Sequence, residues 1–401
     1  MVRVISPQNP SLTRPRNNLF EFVAFRGRRF SLLKRAFFHP AALRSRGTGH
    51  SLALRAERPL SPLRSLWQSA AMTQPPVPLT PEWARQCALW VGWPRLAAEW
   101  SGLIEPARDE IAAFVRTVAK FQPVRLAIGD AQAEAAARAR GLHEIATFVN
   151  APTGDIWLRD TGPLFSAAQG VLRAVVPRFN GWGGKYAMEG DEETGAALAA
   201  FEAADIRCAD IVLEGGAIDT DGSALLTTRE CLLNPNRNGF SDQASAERAL
   251  RDLFAVDRIV WITEGLLNDH TDGHIDNAAR FVAPGHVVCQ FPFGTDDPHT
   301  NRLHQIRAEL KEAGLKVSTI PGPGRVDDDL PASHLNFTVI NGAVIMPTYG
   351  TPSATEALEG LGALFPGREI IGLPANAILS GGGGSFHCMT REVPAAETEA
   401  E

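Results

Sequence analysis

Turn signals recur along the chain at near-regular intervals, and this spacing constrains the fold more than any other feature of the sequence. Each signal is a glycine that follows a polar residue or a proline between two short apolar runs, a pattern typical of a β-hairpin. The glycines stand 52, 63 and 57 residues apart: Gly170, Gly222, Gly285 and Gly342. The period predicts a strand–hairpin–helix unit repeated about five times over roughly 330 residues, because such repeats bury one another's apolar faces.

Helical and extended patterns alternate around these turns. Apolar residues at helical spacing predict helices at 107–121, 130–140, 243–255, 300–313 and 354–364. Short apolar runs predict strands at 124–128, 217–220, 223–227, 279–283, 286–290, 336–340 and 343–346. We therefore predict an α/β fold with one repeated body, although 401 residues alone would suggest two or three domains. A Rossmann domain is not predicted, because no Gly-x-Gly-x-x-Gly loop follows a strand.

Residues 1–71 differ in composition from the rest of the chain. They hold 13 Lys and Arg against two acidic residues, a net charge of +11, whereas residues 72–401 carry −17. Three interpretations are, in order of preference, upstream sequence translated ahead of a start at Met72, an organellar transit peptide, and a basic nucleic-acid-binding arm. We exclude this basic extension from the fold and predict a single catalytic domain over residues 72–401.

The remaining composition excludes several classes of protein. Five cysteines at wide spacing exclude a disulfide scaffold and favour a reducing compartment. No apolar run reaches the roughly 18 residues that a membrane-spanning helix needs. We therefore predict a cytoplasmic protein that binds neither membranes nor nucleic acid.

Cys388 is the candidate nucleophile because it follows the glycine run 381–384. Glycines let the backbone adopt unusual dihedral angles and let a substrate approach closely, so we expect an accessible thiol. Cys231 and Cys289 instead sit in or beside apolar runs typical of buried structural cysteines. His387 is adjacent, but neighbouring side chains of an extended chain point to opposite faces, so the base must come from elsewhere.

Four polar residues alternate in one segment: His270, Asp272, His274 and Asp276. If the segment is extended, they share one face, and two interpretations follow. One is a divalent metal site with imidazole and carboxylate ligands. The other is a metal-free site in which His274 transfers protons and Asp276 binds a cation. Gly273 and the turn-forming pair Asn268-Asp269 favour a strand that begins only near His274, which weakens the metal geometry.

Asp160 and Glu214 are carboxylates set among apolar residues. Buried carboxylates are rare unless they are paired. Arg159 is the simplest partner for Asp160, but adjacency in a strand would send the two side chains apart. The whole chain holds five lysines, so we predict that the missing positive charge belongs to the substrate.

Together these motifs resemble those of agmatine deiminases. The matching segments follow in order at 157–163, 179–185, 214–216, 272–277 and 381–388, and the segments at 81–83 and 91–94 match as well. The resemblance covers about residues 78 to 394. One motif alone would be weak, whereas five in order are specific.

The resemblance implies a fold and an activity. The fold would be that of the pentein guanidine-modifying superfamily, a five-bladed α/β propeller of pseudo-repeated units, related to bacterial-type peptidylarginine deiminases. The activity would be hydrolysis of agmatine to N-carbamoylputrescine and ammonia through a covalent cysteine thiouronium intermediate. The resemblance further implies putrescine biosynthesis or agmatine catabolism, no metal or organic cofactor, and homodimers or larger homo-oligomers.

The resemblance also implies roles for seven residues. They are Cys388 as nucleophile, His274 as general acid and base, Glu214 to hold and polarise His274, Asp160 and Asp276 to bind the guanidinium, and Trp157 and Trp182 to line the channel.

The sequence departs from the family pattern at two places and leaves alternatives open. Gly181 stands where Ala is common, and residues 391–393 replace a Gln-rich stretch that we expect near the rim of the site, where it would affect substrate choice. The alternatives are a deiminase of peptidyl-arginine, free arginine or another guanidine, a metallohydrolase built on the four alternating residues, and a non-catalytic polyamine-binding protein. A chelator would abolish only the metallohydrolase activity.

Overall fold

The computed structural model of the chain describes residues 2–4, 75–327 and 330–396. Strands and helices alternate along it, which confirms the α/β class. Of the basic extension, Val2–Val4 is described as a strand, and the rest lies outside the described residues. Within the described part, no helix combines the length and the apolarity needed to cross a bilayer.

The strands of the described residues form five sheets. The bounds are β1 Val2–Val4, β2 Gln86–Gly92, β3 Val124–Ile128, β4 Thr147–Asn150, β5 Leu164–Ala168, β6 Val171–Arg178, β7 Asp205–Val212, β8 Ile218–Thr220, β9 Ala224–Thr228, β10 Arg258–Ile262, β11 Ala279–Ala283, β12 His286–Phe291, β13 Lys316–Pro321, β14 Thr338–Ile340, β15 Ala343–Thr348, β16 Glu369–Pro374 and β17 Thr390–Pro394. The sheet orders are β5-β6-β7, β8-β9-β10, β11-β12-β13, β14-β15-β16-β1 and β17-β2-β3-β4.

The helices connect these strands. They are α1 Ile104–Val118, α2 Ala131–Ala139, α3 Leu158–Thr161, α4 Gly181–Gly184, α5 Asp191–Phe201, α6 Arg229–Leu232, α7 Gln243–Leu253, α8 Thr300–Glu312, α9 Ala354–Leu364 and α10 Asn376–Gly382. Short 3-10 turns lie at Ala97–Trp100, Leu142–Glu144, Gly215–Ala217 and Ile275–Asn277.

Four of the sheets share one topology. An antiparallel hairpin is followed by a helix, and the next strand returns parallel to the second strand of the hairpin. The connecting helices are α5, α7, α8 and α9. A parallel pair needs such a crossover, because the chain must return to the same end of the sheet. This is the strand–hairpin–helix unit that the turn spacing predicts.

The fifth sheet joins the two ends of the described chain. β17 pairs antiparallel with β2, and β3 then pairs parallel with β2 after α1. β4 extends the same sheet in parallel on the far side of β3. The hairpin-like pair β17–β2 is therefore made by strands from opposite ends, and it places Cys388 two residues before the start of β17.

The predicted turn glycines all have left-handed backbone angles. Their φ values are 75° at Gly170, 95° at Gly222, 66° at Gly285 and 75° at Gly342. L-residues with a Cβ rarely adopt such angles, so glycine is required where each hairpin reverses. The helix predicted at 107–121 instead spans Ile104–Val118, because Pro106 is tolerated in the first turn of a helix.

Helix α1 anchors the segment that leads to Cys388. The Glu110 carboxylate accepts the backbone N–H groups of Ala377 and Ile378 at 3.1 and 3.0 Å, and so satisfies the start of α10. The ring of Phe114 packs on Phe386, with centroids 4.8 Å apart. Burying a phenylalanine side chain stabilises the fold by about 1.5–3 kcal/mol. Both contacts hold the glycine-rich loop on a rigid helix.

Candidate active site

The glycine-rich loop that precedes Cys388 lies against Trp157. Gly383 ends α10 with a left-handed φ of 86°. A Cβ atom at Gly382 or Gly384 would come within 2.6 or 2.5 Å of the indole, so only glycine allows this approach. The expectation of an accessible thiol is wrong, because the packed loop leaves Cys388 only 7% exposed.

The Cys388 sulfur lies between a carboxylate and an amide. Its Sγ is 3.7 Å from Asp276 Oδ2 and 3.1 Å from Asn336 Nδ2. Burial, and then the charges of Asp276 and Asp160, raise the pKa of Cys388 well above its ordinary value. The free protein therefore carries a thiol at neutral pH, and a cation bound nearby would lower its pKa.

Asp276 lies fully buried in the 3-10 turn Ile275–Asn277. Its Oδ2 lies 2.8 Å from His387 Nδ1. Burial, together with the charges of Arg159 and Arg280, lowers the pKa of His387 well below its ordinary value, so the ring is neutral and donates Nδ1–H to Asp276. Oδ1 of Asp276 has no hydrogen-bond partner among the described residues. A buried carboxylate oxygen without a partner is costly, and it marks a place for an N–H donor.

His274 precedes that turn and is also fully buried. Its Nδ1 lies 3.7 Å from Asp160 Oδ1, and neither ring nitrogen has a hydrogen-bond partner among the residues that the structure describes. Burial by itself lowers the pKa of His274, but Asp160, Cys231 and Glu214 together raise it well above its ordinary value. The ring is therefore an imidazolium at neutral pH, and it can donate a proton.

Asp160 lies in the one-turn helix α3 rather than in an extended segment. Its Oδ1 accepts the N–H of Gly216 at 2.9 Å, and its Oδ2 accepts Nε1–H of Trp182 at 2.9 Å. Burial raises the pKa of Asp160, although the charge of His274 opposes the rise. Trp182 therefore orients Asp160 through this indole hydrogen bond. Its backbone has a left-handed φ of 53°.

Arg159 and residues 391–393, where the sequence departs from the family pattern, contact each other in the structure. Arg159 pairs with Glu392 at 2.7 Å, and among the described residues no arginine forms an ion pair with Asp160. Arg391 is buried and contacts the backbone oxygen of Arg159. The stretch lies in β17, where Arg391 and Val393 are buried and Arg391 and Glu392 line a polar pocket with Arg159, so the structure does not place it at an exposed rim as predicted.

Glu214 has a cationic partner that the sequence does not suggest. Arg237 Nε donates to Glu214 Oε1 at 2.6 Å, and Arg237 Nη1 donates to Asp272 Oδ2 at 2.7 Å. The prediction that the substrate supplies the missing charge is therefore wrong for this carboxylate. Glu214 still faces the general-acid candidate, since the ligand atoms of Glu214, Cys231 and His274 all lie within 4.8 Å of one another.

The four alternating residues at 270–276 do not form the predicted row. Asn268 and Asp272 have left-handed φ values of 59° and 66°, so the segment turns instead of extending. Asp272 is paired with Lys185 at 2.6 Å and points away from a shared face. The geometric basis for a metallohydrolase on these residues is therefore absent. In the described part of the chain, the candidate metal ligands that cluster are Glu214, Cys231 and His274.

Trp157 is held by Asp155 and Trp100. Its Nε1 donates to Asp155 Oδ2 at 2.9 Å, and its ring stacks on Trp100 with centroids 6.2 Å apart. Burial raises the pKa of Asp155 to about 7, and the charge of Asp191 adds to the rise. The position of the indole therefore depends on a carboxylate that titrates near neutral pH.

We expect the indole N–H resonance of Trp157 to titrate near pH 7, because the Asp155 pKa is about 7. The indole proton loses its charged acceptor as the pH falls through that value. The unfolded carboxylate ionises near 3.8 and the folded one near 7, so this group lowers the free energy of unfolding as the pH rises across that interval. The measurement is an ¹⁵N–¹H spectrum at varied pH, with the peak assigned by Trp157→Phe. Asp155→Asn should abolish the titration, and a peak constant with pH in the parent would contradict the assignment.

Three contacting residues escaped the sequence analysis as site residues. The sequence around Asn336 gives no sign of a role. Arg237 lies in the Asn-rich run 234–238, a polar stretch between apolar segments, which is the one local signal for it. The sequence analysis rejected His387 as the base for Cys388, and in the structure its ring contacts Asp276. The structure brings Cys388 beside Asp276 and Asp160 beside His274 through contacts between residues that are distant in the sequence.

Comparisons with known proteins cover the same region. Residues 78–394 match the family described as Porphyromonas-type peptidyl-arginine deiminase. The agmatine deiminase of Stutzerimonas stutzeri is 36% identical over 349 residues, covering 78% of this chain and 94% of that protein.

Solved structures agree with this match. An agmatine deiminase of Enterococcus faecalis aligns with a TM-score of 0.74 at 27% identity, covering 80% of this chain and 96% of that one. A serine-for-cysteine variant of C. jejuni agmatine deiminase with substrate bound aligns with a TM-score of 0.73 at 29% identity, covering 79% and 95%. The family match spans every predicted site residue.

Proposed function

The chain belongs to the Porphyromonas-type peptidyl-arginine deiminase family, and from this premise we propose that it hydrolyses agmatine to N-carbamoylputrescine and ammonia. The similarity to agmatine deiminases of Stutzerimonas stutzeri and Enterococcus faecalis supports agmatine as the substrate. The reaction cleaves a carbon–nitrogen bond of a guanidino group.

The observation that supports this proposal is a pair of buried carboxylates. Asp276 lies beside the proposed nucleophile, Cys388, and Asp160 lies beside the proposed general acid, His274. Asp276 lies 3.7 Å from the Cys388 sulfur, and Asp160 lies 3.7 Å from His274. Asp276 keeps one oxygen without a hydrogen-bond partner among the described residues. A guanidinium is planar and offers N–H donors along its edges, so it can bind both carboxylates by charge-assisted hydrogen bonds.

Substrate binding prepares the nucleophile. In the free protein, burial and two carboxylates hold Cys388 as a thiol with a raised pKa. A bound guanidinium neutralises the field of those carboxylates and brings a positive charge beside the sulfur, and both effects lower the pKa of Cys388. The thiol proton is released to solvent as the cation binds, so the thiolate forms where the electrophilic carbon lies.

The first half-reaction forms the carbon–sulfur bond. The Cys388 thiolate attacks the guanidinium carbon and gives a tetrahedral adduct. His274, an imidazolium in the free protein, donates its proton to the leaving nitrogen, and the carbon–nitrogen bond breaks to release ammonia. A thiouronium remains bound through Cys388, and His274 is left neutral.

The second half-reaction restores the enzyme. Neutral His274 takes a proton from a water molecule, whose oxygen attacks the thiouronium carbon. The carbon–sulfur bond of the resulting adduct then breaks as its hydroxyl group loses a proton to the departing Cys388 sulfur. This restores the thiol, and the ureido product departs with its carbonyl formed. Glu214 lies beside His274 and stabilises its protonated form in both steps. No step requires a metal ion or an organic cofactor.

We further propose that the five sheets are the blades of a five-bladed propeller of the pentein type. The common strand order and the β17–β2 pair, which joins the two ends of the chain, support this arrangement. All seven residues with proposed roles lie between 157 and 388, which supports a single catalytic domain within residues 72–401.

The deciding experiment measures ammonia and ureido-product release from agmatine, free arginine and a peptidyl-arginine. We expect agmatine to be the preferred substrate, with turnover unaffected by a chelator. Preference for the peptidyl-arginine would replace the substrate and keep the chemistry. No release from any of the three guanidines would reject the proposed function.

Gly216→Ala should lower kcat/KM for agmatine about 100-fold, because a misplacement of about 1 Å in a site costs on that order. A Cβ at this position would lie 2.6 Å from His274 Nδ1 and 2.8 Å from Asp160 Oδ1. The matched control is Gly362→Ala, whose Cβ would make only an ordinary 3.8 Å contact with Ile370. Equal kcat/KM in the two variants would show that the close approach at Gly216 has no effect on turnover.

A further inference from the structure

Asn336 makes a contact with the nucleophile that no proposed role uses. Its side chain is buried, 1% exposed, and its Nδ2 lies 3.1 Å from the Cys388 sulfur. Resting on the proposed function, in which Cys388 is the nucleophile, we propose that Asn336 is a catalytic residue whose amide N–H stabilises the Cys388 thiolate. Asn336 lies two residues before β14, and β14 and β17 belong to different sheets.

The orientation of the Asn336 amide is set by its partners. Its Oδ1 accepts the backbone N–H groups of His387 at 3.0 Å and of Cys388 at 3.3 Å. The reversed amide would direct N–H donors at these two N–H groups, which is repulsive. Only one orientation therefore satisfies the site, and it directs Nδ2–H at the sulfur.

The second hydrogen on Nδ2 is also engaged. It is donated to Asn277 Oδ1 at 2.9 Å, and Asn277 in turn donates to Asp269 Oδ2 at 3.3 Å. Ser333 Oγ donates to the backbone oxygen of Asn277 at 2.8 Å. Both hydrogens and both lone pairs of the Asn336 amide are thus in use. A side chain fixed in this way loses no rotational freedom when the thiolate forms, so its hydrogen bond is preorganised.

A neutral donor suits this position better than a cation. The sulfur lies in the field of two carboxylates, Asp276 and Asp160, which disfavour its ionisation, whereas Asn336 lowers the pKa of Cys388. A lysine or arginine here would stabilise the thiolate more strongly, but it would also pair with Asp276 and compete with the guanidinium. An amide supports the sulfur and leaves the carboxylates for the substrate.

The test is the pH dependence of Cys388 alkylation in the free enzyme. Asn336→Asp keeps the size and the acceptor oxygen but replaces the donor with a charge. With iodoacetamide as probe and mass spectrometry of the Cys388 peptide as readout, we expect alkylation near neutral pH to slow about 10- to 100-fold, the range for losing a hydrogen bond to a charged group. The midpoint of the profile should move to higher pH by about one unit or more.

Asn341→Asp is the matched control. Asn341 lies at the turn between β14 and β15, and among the described residues its side-chain amide bonds only to the backbone of Gln86, at 3.0 and 2.7 Å. We expect its alkylation profile to match that of the parent. In steady state, Asn336→Asp should lower kcat for agmatine more than it raises KM, because the amide contacts the reacting sulfur and leaves the guanidinium contacts intact.

Two outcomes overturn the proposal. One is an alkylation midpoint in Asn336→Asp equal to that of Asn341→Asp. The other is a loss of reactivity that is the same at every pH, which indicates a structural role. Should Asn336→Asp fail to fold, the parent supplies the test, since the Asn336 carboxamide resonances must shift with the ionisation of Cys388 and must not move if the contact is absent. A parent that is alkylated normally but does not hydrolyse agmatine would reject the proposed function and leave this test intact.

Discussion

Cys388→Ser should lower ammonia release from agmatine by at least about 10⁴-fold, a loss typical of removing a nucleophile. A serine hydroxyl ionises far less readily than a thiol, and the carboxylates that raise the pKa of Cys388 would oppose its ionisation further. Substrate affinity should change little, because the groups proposed to bind the guanidinium are Asp160 and Asp276, which the substitution leaves in place. Equilibrium binding of agmatine to the variant measures this second point.

Cys208→Ser is the control for this prediction, since Cys208 is a free, half-buried cysteine in β7. It should keep parental kcat and the parental melting temperature. A thiouronium mass adduct on the Cys388 peptide of the parent, trapped by acid quenching, should be absent from Cys388→Ser. Turnover at the parental rate in Cys388→Ser would reject the nucleophile assignment.

His274→Gln should lower kcat about 10²- to 10⁴-fold, the range for removing a general acid and base. Glutamine fills similar space but cannot hold or transfer the proton. Asp160, Cys231 and Glu214 outweigh the effect of burial and raise the pKa of His274, so the acid form persists through neutral pH and is lost as the pH rises through the raised value. The parent should therefore lose kcat/KM on the alkaline side, and the variant should lack that limb.

His286→Gln is the matched control for the proton-transfer role. His286 lies at the start of β12, where its ring contacts Ser318 at 2.8 Å. Its replacement should leave the pH profile of kcat/KM unchanged. An alkaline limb that survives in His274→Gln at the parental pH would assign the proton to another group.

Many strands, helices and turns of the fold could be predicted from local sequence patterns. The strand at Val124–Ile128 and the helix at Ala354–Leu364 have the predicted bounds, because apolar spacing and helix propensity act within a few residues. The same holds at hairpin turns such as Gly222, because the turn requires the left-handed φ of 95° that glycine adopts easily.

The segment at 268–276 shows where prediction from a local pattern fails. Its alternation suggests a strand, but left-handed Asp272, paired with Lys185 and Arg237, belongs to a turn.

The candidate site residues could also be recognised in the sequence, whereas the residues that contact them could not. Cys388, His274 and Asp160 stand out beside glycines, and in the structure Asp160 lies 3.7 Å from His274 while Cys388 lies 3.7 Å from Asp276. Arg237 and Asn336 do not stand out, because an arginine or asparagine in a loop has many ordinary uses. Arg159 was not expected to pair with its neighbour Asp160, but its carboxylate partner, Glu392, could not be named from the sequence because it lies 233 residues along the chain.

The α/β class, the repeated unit and the candidate site residues could be predicted from the sequence, because turn angles, apolar periodicity and side-chain type are local properties. Which of these groups contact one another depends on tertiary packing. Cys388 contacts Asp276 across 112 residues and Asn336 across 52, and these contacts depend on how separate sheets pack. The protonation states followed from the same packing, because burial and the charges around each group determine how far its pKa moves.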